Sequence, residues 1–202
     1  GLREIGKSWA GELDTHDYRV SPLFGDNTDL PRTLIFAGDN EIFYKDILKY
    51  HEKLKDLGTS VLVLDHHITD TELSENAVII NNQLSPNYKN KELTGAGVVY
   101  QFCRYLDLKL GKNFADKYMD LAAWGIIGDM GSVLEMENRY IITEGLRSVK
   151  NEFFKALLDK QSYSITGKMG ATWEDILEKL TPTSVAFYIV PLVNGMIRVG
   201  TM

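Results

Sequence analysis

SVLVLDHH, residues 60–67, is a short apolar run with branched valines that ends in Asp65, His66 and His67. A run of that length fits a buried strand better than a helix. A similar run, TLIFAG, stands at residues 33–38. Between the two, residues 41–57 space Ile42, Ile47, Leu48, Leu54 and Leu57 along one helical face, and Gly58 follows as a stop. AVII, residues 77–80, is a third apolar run and is expected to be a buried strand as well. Strand, helix, strand at this spacing implies a right-handed crossover and a parallel sheet.

The polar end of SVLVLDHH then acquires a meaning. In an open parallel sheet, ligand sites gather at the carboxyl ends of strands. Asp65, His66 and His67 sit at such an end and bring oxygen and nitrogen donors suited to Mn²⁺ or a similar divalent ion. Asp39 stands at the matching end of the preceding strand. Neighbouring strands lie about 4.8 Å apart, so Asp39 and His66 are within reach of one ion. Asp129, in GIIGDMGS at residues 125–132, is a third candidate, with Gly128 and Gly131 beside it to let backbone approach a ligand closely. Singly, each of these acids reads equally well as a turn or cap residue. Their order, each at the end of an apolar segment, makes them a set.

From residue 95 onward the pattern is helical. Val98, Val99, Phe102 and Leu106 form one stripe, Leu121, Ala122 and Ile126 a second helix, and residues 138–149 a third. Thr172 is placed to cap WEDILEKL, residues 173–180, with Trp173, Ile176, Leu177 and Leu180 inward and Pro182 ending it. The expected architecture is α/β: a parallel Rossmann-like sheet flanked by helices, with a helical C-terminal portion. Gly95 and Gly97 have two readings: a helix N-terminus that receives phosphate, or close helix packing. Trp124 and Trp173 read as core, and His16 and His51 as surface histidines.

Composition narrows the class. The 202 residues allow one sizeable domain, and 44% hydrophobic with 25% charged residues is an ordinary globular balance. No segment approaches the roughly 20 apolar residues of a membrane helix, so no membrane association is expected. The opening GLREIGKSWAGELD lacks the apolar centre and cleavage site of a signal peptide. Cys103 is the single cysteine, which excludes an intrachain disulfide. Together these features predict a cytoplasmic protein. A net charge of -6 argues against a passive nucleic-acid coat, but suits a metal site that collects carboxylates.

The same residues carry a family resemblance. VLVLDHH resembles the third motif of the DHH phosphoesterase superfamily. TGAGVVYQF, residues 94–102, is similar to the glycine-rich helix start of its RecJ-type members. LAAWGIIGDMGSVLEMENRYIITEGL, residues 121–146, resembles the RecJ segment with a central aspartate and an E-N-R before the next helix. VAFYIVPLVNGMIR, residues 185–198, is similar to the run ending in P-R-x-N-A-x-G-R, with Pro191, Asn194 and Arg198 at the same spacing.

The resemblance implies a two-metal Mn²⁺ or Mg²⁺ phosphodiesterase, a 5′ to 3′ exonuclease specific for single-stranded DNA, with replication or repair proteins as further partners. It implies that Asp39, His66 and Asp129 hold metal, and that Asp65 and His67 are catalytic, Asp65 supporting the histidines and His67 beside the substrate. Gly95, Gly97, Asn194 and Arg198 would bind substrate phosphate.

Two departures shape the expected domains. The family's first motif, D-x-D-x-D-G after a strand, has no counterpart. Asp14, His16 and Asp17 have the wrong spacing and follow no apolar run. Residues 1–150 are therefore expected to be a DHH domain incomplete at its N-terminus, and 151–202 a helical extension leading into an interdomain linker. In the last motif, Leu192 stands for arginine, and residues 195–197 also differ. Rival readings are a DHH enzyme for oligonucleotides, cyclic dinucleotides or pyrophosphate, and an inactive RecJ-like scaffold. The sequence upstream of Gly1 separates enzyme from scaffold.

Overall fold

A computed structural model of the chain describes Lys7, residues 10–28, Leu30, and residues 33–35, 44–57, 61–68 and 77–199. For 33–35, 44–48, 55, 61 and 196–199 it describes backbone alone. The chain divides into two compact units, residues 1–84 with 200–202, and residues 85–199. The boundary expected at residue 150 falls inside the second unit.

In the first unit, β1 (Thr33–Ile35), β2 (Val61–Asp65) and β3 (Ala77–Asn81) form a parallel sheet in the order β1-β2-β3. The register pairs Ile35 with Val63, and Asp65 with Asn81. Helix α1 (Tyr44–Asp56) connects β1 to β2, with Leu54 fully buried. This is the parallel crossover that the strand spacing predicts. Lys53 of α1 donates to the carbonyls of Leu23, at 2.9 Å, and Gly25, and so ties down the turn Pro22–Phe24.

Two expectations change here. Strand β3 is not buried on both sides. Val78 is 64% exposed and Ile80 is exposed too, while Asn81 is buried. Among the described strands β3 has one neighbour, and strand alternation turns Val78 and Ile80 to the open side. His51 is not a surface histidine but buried, because it shares a helix face with Leu54 three residues on.

The second unit is helical: α2 (Gly95–Leu110), α3 (Met119–Gly128), α4 (Met136–Arg147), α5 (Glu152–Lys160), α6 (Ser162–Thr166) and α7 (Trp173–Lys179). Pro182–Ser184 then leads through a π-helical turn, Val185–Ile189, into α8 (Val190–Val199). Small residues let α2, α3 and α4 approach closely. A Cβ on Gly125 would collide with that of Ala96, and one on Gly145 would lie 2.6 Å from the Cβ of Ala123. Ala123, Ile126, Ile141, Phe154, Leu158, Val185 and Ile189 fill the interior.

Trp124 stacks on the buried Phe154 at 4.7 Å. Asp120 is a buried carboxylate that accepts from the amides of Lys150 and Asn151, both at 2.6 Å, and so joins the start of α3 to that of α5. Thr172 caps α7 as its sequence predicts, in a reciprocal box with Asp175. The apolar stripe predicted on α2 is only partly buried. Val98 is inside, Val99 and Phe102 are half-buried, and Leu106, toward the end of the helix, is exposed.

Candidate active site

β2 is the middle described strand, and Asp65 is its last residue, so the three residues DHH leave the sheet at a strand's carboxyl end. Asp65 is buried; His66 and His67 are half-buried. Oδ1 of Asp65 lies 2.7 Å from Nδ1 of His67 and 3.3 Å from its backbone N–H. An ionised Asp65 selects the tautomer with the proton on Nδ1, which leaves Nε2 as the basic nitrogen. The two imidazoles are 4.2 Å apart at 46°.

One ligand atom from each of Asp65, His66 and His67 falls within 4.8 Å of the others. Carboxylate oxygen and imidazole nitrogen are the donor types that divalent ions such as Mn²⁺ accept. The donor set fits a divalent metal.

Asn81 is a residue the sequence pattern passes over. The apolar run stops at Ile80, so the carboxamide after it reads as loop. The register instead sets Asn81 beside Asp65. Its amide donates to the carbonyl of His67 at 2.9 Å and to Oδ2 of Asp65 at 3.5 Å. Its oxygen accepts from the amides of Gln83 and Leu84, at 2.7 and 3.3 Å. One buried side chain therefore fixes both the DHH turn and the turn after β3. The signal available in the sequence was an asparagine closing a strand next to one that ends in a carboxylate.

Asp129, in the second unit, is the C-cap of α3 and is exposed. The helix ends in a Schellman pattern: Gly131 N–H donates to the carbonyl of Ile126 at 2.9 Å, and Met130 N–H to that of Ile127 at 3.2 Å. Met130 takes the left-handed position, φ 57°, where glycine is usual, and its side chain is 89% exposed. Gly131 is required by protein packing and not by open space for a ligand: a Cβ would lie 2.8 Å from Ile126 and 2.9 Å from Thr94.

The E-N-R segment holds this loop in place. Asn138 is fully buried; its amide donates to the carbonyls of Glu92 and Ser132, at 2.9 and 3.0 Å, and its oxygen accepts from Asn90 at 2.9 Å. Glu137 accepts from Tyr88 and Gln101, both at 2.6 Å, and from Asn90 at 2.8 Å. Burial, with the hydrogen bond to Glu137, pushes the Tyr88 phenol well above its usual pKa. Arg139 donates to the carbonyl of Leu134 at 3.2 Å.

Gly95 begins α2, and Gly97 is buried against the side chain of Leu93, where a Cβ would collide. Asn194 is exposed on α8, and Arg198 lies one turn further along the same helix, with only its backbone described. Asp39 lies outside the described residues. Asp14 and Asp17 serve local turns: Asp14 accepts from the amide of His16 at 2.7 Å, and Asp17 pairs with Arg19 at 2.7 Å.

Fold and donor set together describe an α/β protein with a cluster of metal-type donors, Asp65, His66 and His67, at the end of a parallel strand. The chain belongs to the DHH family, whose N-terminal domain it matches over residues 5–126. It is 42% identical over 151 residues to the SPbeta prophage-derived single-strand DNA-specific exonuclease YorK of Bacillus subtilis, covering 75% of this chain and 24% of that protein. It is 31% identical over 154 residues to the single-stranded-DNA-specific exonuclease RecJ of Thermus thermophilus, covering 74% of this chain and 21% of that protein. Among solved structures, exonuclease RecJ bound to manganese matches with a TM-score of 0.59 at 28% identity, over 83% of this chain and 39% of that one. RecJ from Thermus thermophilus with Mn²⁺ gives 0.56 at 29% identity, over 83% and 23%. The chain thus spans about a quarter of the length of these curated relatives. Among the described residues no single helix is long and apolar enough to cross a membrane.

Proposed function

We propose that this chain is the DHH portion of a RecJ-like, metal-dependent exonuclease that degrades single-stranded DNA from 5′ to 3′. The carrying observation is the Asp65–His66–His67 group, whose ligand atoms lie within 4.8 Å of one another at the end of a parallel strand. Relatives named single-strand-specific exonucleases, and RecJ structures that hold manganese, support this reading.

On this reading His66, Asp39 and Asp129 hold Mn²⁺ or Mg²⁺. A divalent ion there supplies Lewis-acid neutralisation of the phosphate and a water of lowered pKa. Asp65 holds His67 by Nδ1 and so orients Nε2 toward hydrogen bonding with a phosphate oxygen. Gly95, Gly97, Asn194 and Arg198 take substrate phosphates, with Arg198 suited by its forked donors. The protein then works in the cytoplasm, in DNA repair or recombination, with single-stranded DNA as substrate and replication or repair proteins as partners.

The test is degradation of 5′-labelled single-stranded DNA with Mn²⁺ by the chain and by its His66→Ala and Asp129→Ala variants. Short 5′ products from the parent, reduced roughly 100-fold in both variants, are expected. No product from the parent would reject this chain as an active nuclease and favour a scaffold.

A further inference from the structure

A shallow depression of about 390 Å³ lies in the helical unit, lined by Tyr88, Lys89 and Asn90 from one loop and by residues 134–137, where a second loop enters α4. The second loop is the one that begins at Asp129. We propose that this depression is a subsite for one unpaired nucleotide of the substrate strand, next to the nucleotide whose phosphate faces Asp129. The inference rests on the exonuclease reading and extends it.

Three observations support it. First, the walls are preformed. Tyr88 and Asn90 both donate to Glu137, and Arg139 and Asn138 pin the carbonyls of Leu134 and Ser132. A site built on fixed walls loses little freedom when it is filled.

Second, these walls hold apolar side chains out in solvent. Leu134 is 83% exposed and Met136 is 73% exposed, although Arg139 holds the Leu134 carbonyl and Met136 begins α4. Flat apolar surface on a rigid loop suits the face of an unstacked base, and Tyr88 adds a ring whose hydroxyl is already bound to Glu137.

Third, the lining offers polar groups for two parts of a nucleotide, although its two carboxylates outnumber its one cation. Lys89 is exposed in the lining and supplies a cation for a phosphate, in a chain whose net charge of -6 gives polyanions no general attraction. The Glu137 carboxylate is occupied by donors from Tyr88, Asn90 and Gln101. Glu135, also in the lining, is an acceptor for the amino edge of a base. One apolar face, one cation and one acceptor together recognise a nucleotide whose base is unpaired. A duplex keeps that base stacked and its edge engaged, so the subsite favours single strands.

The test uses a single-stranded oligodeoxynucleotide carrying 2-aminopurine, bound to the whole chain in EDTA so that no cleavage occurs. Leu134→Ser and Lys89→Gln alter exposed side chains, and melting curves check that both variants fold. Lys155→Gln, on α5, is the control. Each subsite variant is expected to weaken binding about five- to tenfold, the control less than about twofold, and Mn²⁺-dependent cleavage is expected to lose kcat/KM through a raised KM.

Subsite variants that bind like the parent, or a parent that does not bind the probe, would overturn the proposal. Unchanged binding together with altered self-association in sedimentation would also overturn it, and would assign the depression to a protein contact. A parent that cleaves while all variants bind equally removes the subsite and leaves the exonuclease. A parent that binds through Leu134 and Lys89 but never cleaves keeps the subsite and removes the exonuclease.

Discussion

Oδ1 of Asp65 sits 2.7 Å from Nδ1 of His67, two residues along the chain, at the point where β2 leaves the sheet. A charged acceptor at that distance fixes both the ring and its tautomer. Asp65→Asn keeps the shape but can offer its amide to Nδ1 and so favour the wrong tautomer. Mn²⁺ affinity measured by calorimetry is expected to fall roughly 10–100-fold, as for other groups that orient metal ligands, while the melting temperature changes little. Unchanged affinity would show that the pair does not tune the site.

Asn138 is expected to be a stability residue and not a substrate contact. Asn138→Ala removes a fully buried carboxamide and with it the bonds to the carbonyls of Glu92 and Ser132 and from the amide of Asn90. The cost is about 3 kcal/mol, read as a melting temperature lower by roughly 6–12 °C. A drop of under a degree would mean that water replaces the side chain without penalty.

Met130 occupies a left-handed position at the end of α3 with its side chain in solvent. A side chain there costs roughly 1–2 kcal/mol, partly offset by the lower unfolded-state entropy of a non-glycine residue. Met130→Gly is therefore expected to stabilise the fold by about 0.5–1 kcal/mol. Urea midpoints measure this directly, and a lower midpoint would contradict the strain.

Acid should loosen α7. The side-chain bond from Lys168, then the amide and hydroxyl of Thr172, hold Asp175 at about 2, below its ordinary 3.8. A depressed carboxylate contributes stability that is complete above its unfolded value and is lost as pH falls through the folded one. Helix signal is thus expected to decline between 3.8 and about 2, and less so in Asp175→Asn. Added salt should blunt the difference, because the pair is exposed.

Local pattern was enough to show the parallel strands, the helix between β1 and β2, the Thr172 cap and the Asp-His-His terminus. Strand and helix periods, glycine stops and capping residues act over a few neighbours, so they are legible in the chain itself. The sequence by itself therefore determined the fold class, the family and the donor types.

Only tertiary structure decided the rest. Asn81 becomes a positioning residue because register sets it beside Asp65 across two strands. Glu137 and Asn138 become loop anchors because their partners, Tyr88, Asn90 and Glu92, lie more than forty residues away. Val78 faces solvent, and His51 does not, because burial depends on which elements are packed alongside. Hydrogen bonds and burial between distant segments leave no period in the sequence, and they appear only when the chain is folded.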